Sequence, residues 1–141
     1  MTSLPSGVNG IPTGLNIIDP YFTIEALEDG LTVSLTQNTS YYRMDNGDWT
    51  SLSVGSTTPA INAGQKIQFK MTNPTISGLS GIGTFTISKP CNIEGNIMSL
   101  LYGDDFIGQT DLTGKKYAFR DLFYNCFTII KQTIKCFSLT C

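Results

Sequence analysis

Apolar and polar residues alternate along the chain from about residue 21 onward. The stretch YFTIEALEDGLTVSLT holds two short alternating segments, and the pair Asp29-Gly30 between them favours a tight turn. Alternation with a period of two places every second side chain on one face of a strand. The stretch therefore predicts a β-hairpin whose buried face carries Phe22, Ile24, Ala26, Leu31, Val33 and Leu35.

Further alternating segments follow at intervals of roughly 8 to 12 residues, which is typical of β-sandwiches. SYYRMDNGDWTSLSV contains a second turn signal, Asn46-Gly47, and predicts a second hairpin. QKIQFKM and GTFTIS each place apolar residues on one face, among them Phe69 and Phe85. Residues 21–96 are therefore predicted to form an antiparallel β-sandwich of immunoglobulin-like type, without a core disulfide.

The pattern changes after residue 96. GNIMSLLYGDDF carries a clustered apolar run that ends at Gly103, and KKYAFRDLFYNCFTII spaces its apolar residues at helical intervals. Two short helices are predicted, and each must pack on the sheet because helices of so few turns are not stable alone. Residues 97–141 are interpreted as a helical cap.

The first twenty residues contain three prolines and three glycines, a composition that favours an extended arm without a core of its own. Residues 1–20 are therefore set apart from the sandwich. We predict that apolar side chains of this arm enter grooves of neighbouring subunits and anchor the protein in an assembly. Docking on its own domain and an unanchored leader are the alternatives. The predicted anchoring residues are Leu4, Val8, Ile11, Leu15, Ile17 and Ile18.

Several of these segments together resemble a known family. YFTIEALEDGLTVSL, YYRMDNGDWTSL, INAGQKIQFK, GIGTF, IEGNIMSLLYGDDF and LTGKKYAFRDLFYNC look like the N-terminal immunoglobulin-like module of BspA-like leucine-rich-repeat surface proteins of anaerobic gut bacteria. The resemblance covers about residues 21–126. It implies that the tail begins a leucine-rich repeat, since the family's repeat helix resembles xxFxxCxxL and is matched by Phe119, Phe123, Cys126 and Ile129.

Two departures from that family affect the functional prediction. The proline-bearing segment usual between repeats is absent from TIIKQTIKCFSLTC, and the N-terminus lacks the basic and apolar regions of an export signal. The module also resembles virion proteins of phages that infect the same bacteria, of the crAss-like type, which are released by lysis. The expected location is therefore the virion surface, with the bacterial cell surface as the alternative if an export signal was removed.

Charge and composition narrow the partners. The net charge is only −2, and the basic residues form no stripe, so a nucleic-acid partner is not expected. No apolar run approaches the roughly 18 residues needed to span a bilayer, so membrane insertion is not expected either. The expected partners are other protein subunits of an assembly, capsid or self, with a host-surface glycan or protein as a further candidate.

Catalytic and metal-binding motifs are sparse. The absence of histidine excludes Ser-His-Asp and Cys-His arrangements, and the cysteines lack zinc-site spacing, so no metal or cofactor is expected. Cys91 is interpreted as a small buried side chain in a reduced protein. A disulfide in an extracellular protein is the alternative. Asp45 with Asp48 is interpreted as turn chemistry. Loop capping is preferred over calcium binding for Asp104, Asp105 and Asp111.

Aromatic residues offer one further candidate surface. Tyr21, Tyr41, Tyr42 and Trp49 can line a face that binds a sugar or a protein, although Trp49 is expected to lie in the core instead. The sequence thus predicts a non-enzymatic structural and interaction protein, a phage capsid decoration or head-fibre module. A bacterial adhesin module is the alternative, and a carbohydrate-binding module ranks third.

Overall fold

The computed structural model describes residues 20–71, 83–112, 118–119, 122–124 and 126–135. Most regular structure in these ranges is β-strand, as the sequence predicts. One short α-helix, α1, spans Ser99–Tyr102, and a turn of 3-10 helix follows at Gly103–Asp105. The strands are β1 Phe22–Ala26, β2 Val33–Leu35, β3 Ser40–Met44, β4 Thr50–Leu52, β5 Lys66–Lys70, β6 Phe85–Ile87, β7 Cys91–Asn96 and β8 Ile129–Lys135.

The described strands form two sheets. Six of them lie in the order β4-β3-β5-β1-β7-β8, and β2 pairs with β6 in a smaller sheet. Neighbours are antiparallel, except that β8 runs parallel to β7. The strands within residues 21–96 pair antiparallel, as predicted, and the large sheet is mixed because β8 adds to it in parallel where the sequence predicts no strand.

The core lies between the two sheets, and the predicted alternation defines its residues. Phe22, Ile24 and Ala26 of β1 are fully buried, opposite similarly buried side chains of β5 and β7. The rings of Phe22 and Phe69 approach Phe85 of the small sheet, with centroids 5.3 and 5.2 Å apart. Packing of aromatic rings across the gap thus holds the two sheets together.

The first predicted hairpin is wrong in its pairing. β1 pairs with β5 and β7, whereas β2 pairs with β6 in the other sheet. The turn at Gly30, whose φ is 89°, therefore carries the chain from one sheet to the other. Both segments keep their apolar faces inward because they lie on opposite sides of the same core.

The second predicted hairpin is confirmed. β3 and β4 pair antiparallel, with Ser40 opposite Leu52. Asp45 and Asn46 adopt φ values of 46° and 64°, and the N–H of Gly47 donates to the carbonyl of Met44 at 2.8 Å. Left-handed conformation at both central residues is what a tight hairpin turn requires, and Asn and Asp tolerate it.

Of the two predicted helices, only the first is present in the described residues. The second would run through Phe119, Phe123 and Cys126, but turns occupy the described part of residues 118–128 and β8 begins at Ile129. The β-branched residues of TIIKQTI favour a strand. The edge of β7 supplies its backbone partners, so the tail adds a strand to the sheet instead of a helix.

The predicted anchoring residues Leu4, Val8, Ile11, Leu15, Ile17 and Ile18 lie outside the described residues. The described chain starts at Pro20, whose carbonyl accepts a hydrogen bond of 2.9 Å from the N–H of Asn96. Gly95, with φ at 88°, lies so close to this entry point that a Cβ there would collide with the backbone of Tyr21. Within the described ranges, no helix combines the length and apolar character needed to cross a membrane.

Candidate functional site

The single tryptophan of the chain lies on the face of the six-stranded sheet that is turned away from the core, here called the outer face. Trp49 follows the β3–β4 turn and is half-buried, so the expectation that it belongs to the core is wrong. Its ring packs edge-on against Tyr21, with centroids 4.9 Å apart. Two cations lie over it, with the Cζ of Arg43 4.7 Å and the Nζ of Lys70 4.5 Å from its centroid.

Tyr21, Arg43, Trp49, Lys70 and Asp104 together form what we call the Trp49 cluster. Strand alternation explains most of it, because Tyr21 precedes the inward Phe22 and Lys70 follows the buried Phe69. Arg43 lies between Tyr42 and Met44, which are partly buried against the core. The indole ring shields the ammonium group below it, and the side chain of Lys70 is only 11% exposed.

The carboxylate of Asp104 compensates the positive charge of the shielded Lys70. Nζ of Lys70 donates to both carboxylate oxygens, at 2.8 and 2.9 Å, and the hydroxyl of Tyr21 donates to Oδ1 at 2.8 Å. The hydrogen bond from Lys70, followed by that from Tyr21, lowers the pKa of Asp104 below its usual value. Asp104 itself remains 62% exposed, so its oxygens are still accessible from solvent.

A serine fixes the position of Asp104 relative to the sheet. The hydroxyl of Ser99, buried at the start of α1, accepts from the N–H of Phe22 at 3.0 Å and donates to the carbonyl of Phe69 at 2.9 Å. It thereby ties α1 to both β1 and β5. The 3-10 turn that follows α1 then places Asp104 beside the end of β5, where Lys70 lies.

Arg43 is held by a different set of contacts. Its Nε donates to Oε1 of Gln68 at 2.7 Å, and Nε2 of Gln68 donates to Oγ1 of Thr23 at 3.3 Å. Among the described residues, no carboxylate pairs with Arg43, in contrast to Lys66 and Lys70. Its guanidinium is thus oriented by neutral hydrogen-bond partners, and it interacts with Asp104 only through longer-range electrostatics.

An open pocket of about 250 Å³ adjoins the Trp49 cluster at Arg43. It lies along the β3–β4 hairpin, and Tyr42, Gly47, Asp48 and Thr50 contribute to its walls. Tyr42 and Met44, whose side chains pack against the core, also line the pocket, so it touches the cluster only at Arg43.

Two of the four aromatic residues singled out from the sequence, Tyr21 and Trp49, are in ring contact. Tyr41 lies opposite Lys70 in the strand register and so shares the outer face, whereas Tyr42 packs against the core. Sequence reasoning missed Arg43, Lys70 and Asp104 as members of the site. The alternation in YYRM and KIQFK places both cations on the outer face, but their proximity depends on the pairing of β3 with β5.

The carboxylates proposed from the sequence have structural roles where hydrogen bonds define them. Asp45 accepts from the backbone of Lys66 and the side chain of Gln65, both at 3.3 Å, as expected for a turn residue. Asp104 is paired with Lys70, as described above. Within the described ranges, no group of three or more histidine, cysteine or acidic residues is arranged to hold a metal ion.

The four residues of the repeat-like motif share one environment even though they are not on a helix. Phe119, Phe123, Cys126 and Ile129 are all partly buried against the core. The ring of Phe123 lies 6.0 Å from that of Phe22, and the thiol of Cys126 donates to the carbonyl of Phe85 at 2.9 Å. Phe119 and Phe123 lie in turns, Cys126 lies between two turns, and Ile129 is the first residue of β8.

A second exposed region, here called the C-terminal surface, consists of Tyr124, Phe127 and Ile130. Their exposures are 64%, 88% and 66%, although all three side chains are large and mostly apolar. The last of them lies on β8, which ends the order of the six-stranded sheet. In the described part of the chain, the outer edge of β8 pairs with no other strand.

The two described cysteines are free thiols. Cys91 is fully buried, as the sequence predicts, and burial raises its pKa to about 11. Burial also raises the pKa of Cys126. Both groups are therefore protonated at neutral pH, and neither has the lowered pKa of a reactive thiolate.

Comparisons with protein-family models, with curated proteins and with solved structures found no match. The function of the chain is therefore inferred from the geometry of the Trp49 cluster and the C-terminal surface and from the sequence resemblance.

Proposed function

We propose that this chain is a structural and interaction protein that acts without catalysis, as a surface component of a phage virion. In this proposal it is a capsid decoration or head-fibre module, with other subunits of the assembly as its partners. The resemblance to virion proteins supports this class of protein. The arm of residues 1–20 is proposed as one of its anchors in the assembly. The C-terminal surface is the observation that carries the proposal.

Three large side chains stay exposed, and one of them, Ile130, lies on β8, whose outer edge is unpaired among the described residues. We take these features as the marks of an interaction surface. Exposed apolar patches and unpaired edges favour association, and folded proteins usually cover or blunt them. Burying a side chain such as Phe127 in a partner would contribute about 1.5 to 3 kcal/mol. When many copies of a subunit are part of one assembly, each copy needs only a few such contacts to stay bound.

The finer description of the fold belongs to the same proposal. Two packed sheets with an aromatic core support an immunoglobulin-like sandwich, although β8 is a parallel addition to it. The residue types of the repeat-like motif support the start of a leucine-rich repeat, and they are Phe119, Phe123, Cys126 and Ile129. Turns replace the helix of such a repeat, which argues for an altered repeat.

An adhesin module of BspA-like bacterial surface proteins is the second candidate. The parallel pairing of β8 with β7 favours it, because successive repeats place equivalent strands side by side and in parallel. A chain of this kind would act at the bacterial cell surface. A carbohydrate-binding module is the third candidate, and only the Trp49 cluster favours it.

Fractionation of an infected culture separates these candidates. An antibody raised against the purified chain is used to probe density-purified virions, the cell envelope and the soluble lysate. We expect the protein in the virion fraction, retained after a high-salt wash that removes bound contaminants. Recovery from the envelope would favour the adhesin, and recovery only as free soluble protein would overturn both. Neighbouring capsid and portal genes would add independent support.

A further inference from the structure

We propose that the Trp49 cluster and the pocket beside it bind an acidic glycan through a sugar unit that carries a carboxylate. The inference concerns a different surface from the one that carries the assembly role and does not depend on it. The cluster holds two cations, Arg43 and Lys70, against the one carboxylate of Asp104, so it carries one positive charge in excess.

The charges of the cluster favour an anionic ligand. Asp104 neutralises Lys70 through both of its oxygens, which leaves the positive charge of Arg43 in excess. The protein as a whole carries a net charge of −2, so this local excess is opposite in sign to the molecule. A guanidinium group matches a carboxylate in geometry, because two parallel N–H groups can donate to the two oxygens.

The guanidinium of Arg43 is already oriented before a ligand arrives. The chain of hydrogen bonds from Arg43 through Gln68 to Thr23 fixes Nε on the sheet, and Thr23 is fully buried. The rings of Tyr21 and Trp49 pack against the same group, at 5.2 and 4.7 Å from Cζ. A preorganised side chain loses little conformational entropy on binding, so more of the interaction energy appears as affinity.

The remaining groups favour a sugar over an acidic peptide. The indole of Trp49 is partly exposed, and the C–H groups of a sugar can pack against the part of the ring that Tyr21 and the two cations leave uncovered. The exposed oxygens of Asp104 can accept hydrogen bonds from sugar hydroxyls. Asp48 and Thr50 in the adjoining pocket offer further polar groups for a second unit.

Tryptophan fluorescence reports directly on this site, because the chain contains one tryptophan. The purified chain is titrated with trigalacturonate, with its methyl ester, which keeps the ring and removes the charge, and with hexaglutamate. We expect a saturable fluorescence change with trigalacturonate and affinity at least about ten-fold weaker for the other two, since each loses either the carboxylate or the ring contacts. Added salt should weaken the binding of trigalacturonate.

Variants connect the signal to Arg43. Arg43→Gln should weaken binding of trigalacturonate by at least about ten-fold, and Arg43→Lys by several-fold, because lysine keeps the charge without the planar fork. Lys66→Gln is the matched control, since it removes one positive charge from an exposed residue of the same face and should leave affinity unchanged. Arg43→Lys preserves the test if Arg43→Gln does not fold.

Three results would overturn the proposal. The first is equal binding of the acid and its methyl ester, the second is equal losses for Arg43→Lys, Arg43→Gln and Lys66→Gln, and the third is no binding of trigalacturonate. Stronger binding of hexaglutamate would reassign the surface to an acidic protein partner and reject the sugar. Since virion fractionation reads out the location of the protein and the sugar titration reads out the Trp49 cluster, either proposal can fail while the other stands.

Discussion

Replacing Phe69 and Trp49 separately by alanine tests the division of the sheet into a core face and an outer face. Both are large aromatic residues on neighbouring parts of the sheet, and both look equally apolar in the sequence. Phe69 is completely buried, with its ring 6.5 Å from that of Phe22 and 5.2 Å from that of Phe85. Trp49 is half-buried and contacts mainly Tyr21 and two cations.

The two losses should differ clearly in size. Truncating a buried phenylalanine leaves a cavity in addition to the lost burial, so Phe69→Ala should lower the free energy of unfolding by about 3 to 5 kcal/mol. For Trp49→Ala, the cation contact with Arg43 contributes about 0.5 kcal/mol and that with the shielded Lys70 about 1 kcal/mol, and the contact with Tyr21 adds about 0.5 to 1 kcal/mol. The expected loss is therefore about 2 to 2.5 kcal/mol.

Urea denaturation followed by far-ultraviolet circular dichroism measures both losses, since removal of the only tryptophan eliminates the fluorescence signal. Phe127→Ala is the control, because an aromatic residue that is 88% exposed should change stability by less than about 0.5 kcal/mol. A loss for Trp49→Ala as large as that for Phe69→Ala would place the indole in the core. A loss below about 1 kcal/mol for Phe69→Ala would reject the core itself.

Three further predictions follow from other parts of the molecule. Because Lys70 lowers the folded-state pKa of Asp104, this carboxylate stabilises the fold above its unfolded pKa of about 3.9. Asp104→Asn should therefore lower the free energy of unfolding by about 1 kcal/mol or less at neutral pH, because the carboxylate is so exposed. This loss should vanish as pH falls through the folded-state pKa of Asp104, and a loss that does not change with pH would contradict the ion pair. Gly95→Ala should destabilise by at least about 2 kcal/mol, since a positive φ and a collision with the Tyr21 backbone add together, and an unchanged melting temperature would reject that geometry. Deleting residues 1–18 should leave a folded protein with poor incorporation into its assembly, whereas normal incorporation would assign anchoring to another surface.

The predictable part of the fold is the part that local pattern determines. The inward side chains of β1 and the Asn46 turn follow from alternation and turn chemistry within a few residues. The partners of β1 do not, because β5 and β7 lie far away along the chain and the Asp29-Gly30 signal is compatible with either a hairpin or a crossing between sheets. Pairing depends on which edges the whole core leaves available.

The tail shows why periodicity alone is ambiguous. Phe119, Phe123 and Cys126 do share the core, as helical spacing suggests, but turns satisfy that requirement equally well. The β-branched residues around Ile129 favour a strand, and the edge of β7 decides between the two forms. The Trp49 cluster was only half predictable for a related reason, since its charged members come from separate segments that the sheet register brings together.

Amide hydrogen exchange in free and virion-bound protein tests most directly whether β8 and the C-terminal surface form the interface of the assembly. In the free chain, the amides of Ile129–Lys135 that face away from β7 lack a strand partner in the described structure and should exchange quickly. Amides of β5, in the middle of the sheet, should exchange slowly in both states and serve as the internal control. The proposal predicts that the outward amides of β8 slow by at least about ten-fold in the virion. Equal exchange of β8 in both states, with new protection elsewhere, would contradict it.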